Sequence, residues 1–120
     1  MRFVCACCVA LSMFAAVPAR ATEIDFSAVL TDQEDAPLKD GDKVLTLGRA
    51  AFVALVAPAA DEQNLPQDEK FRRGDLGLRV SRGGKIDLSV EDIALIKKQI
   101  GKTYGPLVVV RAFPLLDPKK

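Results

Sequence analysis

LSVEDIALIKKQIG, Leu88 to Gly101, repeats its apolar residues with the period of an α-helix. Val90, Ile93, Ile96 and Ile100 share one face, and such a stripe needs a core to cover it. Ser89 stands at the N-cap, and Asp92 three residues on completes an S-x-x-D capping box. Leu88, just before the cap, can close over Ile93 as a hydrophobic staple. Lys97 and Lys98 fall in the last turn, against the negative end of the helix dipole. Gly101 follows the last residue of the apolar face and is expected to end the helix in a left-handed cap. Leu95 lies off the apolar face, open to a neighbouring element or a partner.

Gly101-Lys102-Thr103 are also the last three letters of a phosphate-binding P-loop. That loop needs a further glycine five positions before the GK pair, where this chain has Ile96 in mid-helix. It must also follow a strand and open a helix, and here the order is reversed. The sequence does not predict nucleotide binding.

Outward from this helix the other elements can be placed. Ile24, Phe26, Ala28 and Leu30 alternate with Asp25, Ser27 and Thr31, the period of a half-buried strand. TDQEDAPLKDGD follows with the residues of turns, and KVLTL returns as a second short run, so the spacing predicts a hairpin with an acidic loop. LGRAAFVALVA, Leu47 to Ala57, is apolar nearly all round and reads as a buried helix capped by Thr46 and stopped by Pro58. After the linker APAADEQNLP, Pro66 opens a helix that ends at Gly83-Gly84, weakened by Gly74 and Gly77. Gly105-Pro106 opens LVVVRAF, stopped by Pro114. Its valines suit a buried strand, and Leu107, Val110 and Phe113 suit a short helix, the reading adopted here. LLDPKK reads as a frayed tail. The fold class expected is α+β, an N-terminal β-hairpin packed on three or four short helices. The core is expected to draw on Phe26, Leu30, Phe52, Leu55, Phe71, Leu78, Ile93, Ile96, Ile100 and Val109.

Residues 1–21, MRFVCACCVALSMFAAVPARA, read as a secretory signal: Arg2, an apolar run from Phe3 to Val17, and a cleavage motif at Ala19-Arg20-Ala21. The alternative is a misassigned upstream extension. Residues 22–120 then form a single domain, periplasmic or secreted if the leader is a signal, cytoplasmic if it is an extension. The apolar run of fifteen residues is short for a bilayer, so no membrane span is expected once the leader is removed. Cys5, Cys7 and Cys8 all lie in the leader, which leaves the body without cysteine, disulfide or histidine. Removing Arg2 and Arg20 leaves 15 basic residues against 16 acidic. A near-neutral body lacks the electrostatic footprint of nucleic-acid binding, and no nucleic-acid partner is expected.

No cofactor or metal is expected. A calcium loop aligned on Gly84 would place Arg79, Ser81 and Gly83 at ligand positions, and two of these cannot ligate. Asp32, Glu34, Asp35, Asp40 and Asp42 read as a solvated acidic loop. Arg72, Arg73, Arg79 and Arg82 are interleaved with Asp68, Glu69 and Asp75, the pattern of a salt-bridged surface. Without histidine the chain lacks the usual proton-transfer residue near neutral pH, so no catalytic residue is assigned.

VEDIALIKKQIGKTYGPLVVV and the final LLDP, with IDF and LTLG, resemble a group of short phage- and prophage-encoded proteins. The resemblance spans Ile24 to Pro118 and implies a small morphogenesis factor, similar in size and helicity to tail-assembly chaperones. The expected function is a non-enzymatic protein-interaction module, most simply a phage-type assembly or accessory factor whose partner is another protein. A small periplasmic or secreted binding protein is the second reading and an enzyme the third. The expected contact surface is the C-terminal third: Leu95, Val108, Val110 and Phe113, with Tyr104 and Arg111 at its rim or as anchors. The alternative is that these residues close the core.

Overall fold

Strand β1 (Ala21–Asp25) opens the computed structural model, which describes residues 21–57 and 64–118. The cysteines and all of the leader before Ala21 lie outside the described residues. There follow β2 (Lys39–Asp40), β3 (Lys43–Val44), α1 (Leu47–Val56), α2 (Gln67–Ser81), β4 (Lys85–Ser89), α3 (Val90–Thr103) and α4 (Pro106–Leu116). The architecture of the described residues is α+β, with four short helices against two small antiparallel ribbons.

The N-terminal strand forms, but its ladder partner is β4, not KVLTL. Ala21 pairs with Ser89, Ile24 with Ile86 and Asp25 with Lys85. Asp25 ends the ladder because its carboxylate accepts from both the amide and the hydroxyl of Ser27, at 3.0 and 2.6 Å, a local turn that competes with strand geometry. Alternating burial nevertheless runs on through Phe26 and Leu30. Of the expected long hairpin, the two-residue pairing β2–β3 remains, turned at Gly41 with φ 68°, together with isolated bridges such as Val29 to Thr46. β4 was not expected, although its alternation of Ile86 and Leu88 with Lys85 and Asp87 is a strand signal.

The helix ends follow local chemistry. Thr46 accepts from the Arg49 amide at 3.1 Å and Ser89 from the Asp92 amide at 3.2 Å, as their cap positions predict. Gly83 and Gly84 take φ of 73° and 79° after α2, a conformation that disfavours any side chain. Gly101 does not cap α3: the helix runs through it to Thr103, and Tyr104 ends it in extended conformation. Residues 106–116 are helix, and Pro114 does not stop it. Pro114 lies on the outer side, where the Val110 carbonyl that it leaves without an amide donor can meet water. The tail is accordingly not frayed at Leu116, which is buried.

α1 is the central helix, packed on both α2 and α3. Gly48, Ala50, Ala51 and Ala54 are buried on it, and their small size lets neighbouring backbones approach. Phe26, Leu30, Leu55, Ile93, Ile96 and Ile100 are buried as expected, each worth about 1.5–3 kcal/mol relative to exposure. Val109 is half-buried against them. Four expectations fail. Phe71 is 76% exposed and Leu78 59%, because α2 turns its other face, with Leu76, Gly77 and Val80, toward α1. Phe52 is only partly buried, and Val90 on α3 faces outward.

Candidate interaction surface

α4 lies along α3 and touches β1. Ala112 and Leu116 bury its inner side, while Val108, Val109 and Phe113 pack half-buried at the margin of the core. The outer side carries Leu107, Val110, Pro114 and Leu115, all exposed, with Val110 at 62%. The spacing of three and four that joins Leu107, Val110 and Pro114 puts them on one face, an apolar surface of the kind that marks protein contacts.

The expected contact residues therefore separate. Leu95 is 8% exposed and belongs to the core, on a helix that packs against both α1 and α4. Val108 and Phe113 serve mainly to seat α4, and Lys97 lies 5.9 Å from the centre of the Phe113 ring. Val110 is the residue of the set that projects freely. Leu107, Pro114 and Leu115 complete the face; in sequence Pro114 signals a stop, which hides the extra turn.

Arg111 ties this helix to the acidic loop. Its Nη2 donates to the Asp32 carbonyl oxygen at 2.7 Å and lies 3.4 Å from the Asp35 carboxylate. Asp32 shapes the loop itself, its carboxylate accepting the amides of Glu34 and Ala36 at 2.8 and 3.0 Å. Asp35 sits at φ 61°, which an aspartate tolerates better than most residues. At the loop's other end Asp40 pairs with Arg49 at 2.8 Å. Tyr104 stands half-buried near that pair. Burial pushes its hydroxyl above the usual 10.0, the Asp40 carboxylate adds to the rise, and Arg49 opposes it. The Asp32, Asp35 and Asp40 carboxylates are thus engaged with arginines or backbone amides, and no group of three potential metal ligands gathers among the described residues.

Of the basic group on α2, Arg72 and Arg73 are laced with acids as the sequence predicts, whereas Arg79 and Arg82 have no ion-pair partner among the described residues. Glu69 takes Arg73 at 3.3 Å and Arg72 at 4.0 Å, and Arg72 reaches Asp92 on α3 at 3.4 Å. These pairs are mostly exposed, so they orient the two helices more than they stabilise them. No helix among the described residues is long and apolar enough to cross a membrane. No family model matches the chain, and neither a curated protein nor a solved structure matches it significantly.

Proposed function

We propose that this chain is a non-enzymatic protein-interaction module that docks a partner protein on the outer face of α4, in the manner of a phage-type assembly or accessory factor. One observation carries the reading: Val110, flanked by Leu107 and Pro114, lies bare on a helix whose opposite side is locked into the core. Such a face is held rigid before binding, which lowers the ordering cost of association. Arg111, next to Val110 on α4, is one of the residue types that dominate interface energies.

Cross-linking in the native host, with wild type and Val110→Asp compared, tests the reading. A partner captured by the first and lost by the second supports it, provided circular dichroism shows the variant folded, and capsid or tail proteins among the captured partners support the assembly role. Identical capture by both proteins rejects the α4 face. The Ala19-Arg20-Ala21 motif favours the second reading, a small periplasmic or secreted binding protein. Cell fractionation separates the two readings, since particle assembly requires cytoplasmic protein.

A further inference from the structure

α2 carries a second bare apolar face, remote in sequence from α4 and supported chiefly by α1. Phe71 and Leu78 lie seven residues apart on its outward side, 76% and 59% exposed. Asp75 and Arg82 follow the same helical rows. Gly74 stands between the two large side chains, and a Cβ there would meet nothing within 4 Å.

From the arrangement of apolar and charged groups on this face we infer that α2 pairs with α2 of a second copy of this chain, the two helices antiparallel. The argument is self-complementarity. A twofold axis between Gly74 and Asp75 sets Phe71 of one copy against Leu78 of the other, twice. Gly74 leaves room at the crossing for the chains to approach. The same operation brings the acidic first turn, with Asp68, alongside the basic last turn of the second copy, with Arg79 and Arg82. Asp68 and Arg79 flank the apolar row on the same side, and an antiparallel pair keeps like flanks together. A parallel pair would instead set the acidic first turns of both copies at the same level, with unlike flanks together. None of Asp68, Asp75, Arg79 and Arg82 has an ion-pair partner among the described residues, so the charges are unspent.

One contact is unfavourable. Asp75 of each copy comes close to the axis, and like charges there oppose association. A helix of about 22 Å also covers well under the roughly 1,600 Å² of a stable interface. The pairing is therefore weak, with a dissociation constant on the order of micromolar or above.

Sedimentation equilibrium of the chain, expressed from its native start and used as recovered, tests the inference. The wild type should show a concentration-dependent monomer–dimer equilibrium that weakens with salt. Phe71→Asp and Leu78→Asp, both at exposed sites, should each remain monomeric with unchanged circular dichroism. Asp75→Asn should tighten the dimer several-fold, which a merely structural residue would not do. Asp68→Arg should weaken it, and adding Arg79→Asp in the same chain should recover most of the loss. A wild type that stays monomeric to millimolar concentration overturns the inference, as does dimerisation unaffected by both apolar replacements. A dimer that Asp75→Asn leaves unchanged, or one that the double charge reversal does not recover, overturns the antiparallel register. Val110→Asp on α4 should leave the equilibrium as it is, so this pairing and the docking of a partner on α4 stand or fall separately.

Discussion

The amide of Gly48 donates to the carbonyl oxygen of Phe26 at 2.9 Å, and a Cβ on Gly48 would lie 2.5 Å from the carbonyl oxygen of Val80. One glycine thus joins the N-terminal segment, α1 and the end of α2 through backbone atoms that cannot move aside. Gly48→Ala should cost about 3 kcal/mol or prevent folding, the upper range for overpacking. Gly74→Ala, with open space around it, should instead stabilise the monomer by about 1 kcal/mol through helix propensity. Urea unfolding of both variants reads the opposite signs, and equal effects would contradict the packing of α1 on α2.

Leu95→Ala and Ile96→Ala should each cost roughly 2–5 kcal/mol, since both side chains are buried on α3. Ser89→Ala should cost about 1 kcal/mol by leaving the Asp92 amide without its acceptor. Val90→Ala, at an exposed site on the same helix, should lie within about 0.5 kcal/mol of wild type. Chemical denaturation gives the ranking, and a neutral Leu95→Ala would take Leu95 out of the core.

Arg111 holds the acidic loop to α4 by a charge-assisted hydrogen bond to the Asp32 carbonyl. Its guanidinium is partly exposed, so Arg111→Ala should cost only about 1–2 kcal/mol. The local effect should be larger than the global one. Hydrogen exchange of the amides from Asp32 to Leu38 should accelerate while those of α3 hold, and uniform acceleration would show that the contact is not local.

Tyr104 titrates above the usual 10.0 because burial disfavours its charged form. The folded state therefore binds this proton more tightly than the unfolded one. Its contribution is complete below the unfolded value and is lost as pH rises from about 10 through the folded pKa. Tyr104 is the only tyrosine, so the absorbance of the phenolate reports on it alone. The absorbance midpoint should lie above that of the urea-unfolded chain, and Tyr104→Phe should flatten the alkaline fall in stability. Coincident midpoints would place the hydroxyl in free solvent.

A signal peptidase acting at the Ala19-Arg20-Ala21 motif would cut between Ala21 and Thr22, the first peptide bond of β1. Ala21 pairs with Ser89 and Thr22 with Leu88, while proteases take substrates in extended form with free backbone edges. Cleavage should therefore precede closure of the β1–β4 ladder. Intact-mass analysis of the exported protein should find Thr22 first, and purified folded precursor should resist the peptidase in detergent. Full-length cytoplasmic protein retaining Cys5, Cys7 and Cys8 would refute the signal reading.

The cap residues Thr46 and Ser89, the glycine pair that ends α2 and the proline that opens α4 were legible because each acts within three or four residues of itself. Pairing of β1 with β4 was not, since it joins segments sixty or more positions apart. Only the packed molecule could choose between that partner and the nearer KVLTL, where Asp25 and Ser27 turn the chain before a long hairpin can form. The same limit governed the surface. On α2 the period of 3.6 allows either the Phe71–Leu78 side or the Leu76–Val80 side to face inward, and side-chain size favours the former. The tertiary structure takes the latter, which brings Gly77 so near α1 that a Cβ there would lie 3.3 Å from Val56 and 3.5 and 3.6 Å from Phe52 and Leu55, and sets the Val80 carbonyl oxygen 2.5 Å from where a Cβ on Gly48 would stand. Close backbone approach wins many small dispersion contacts at once, and it leaves the larger side chains of α2 facing outward.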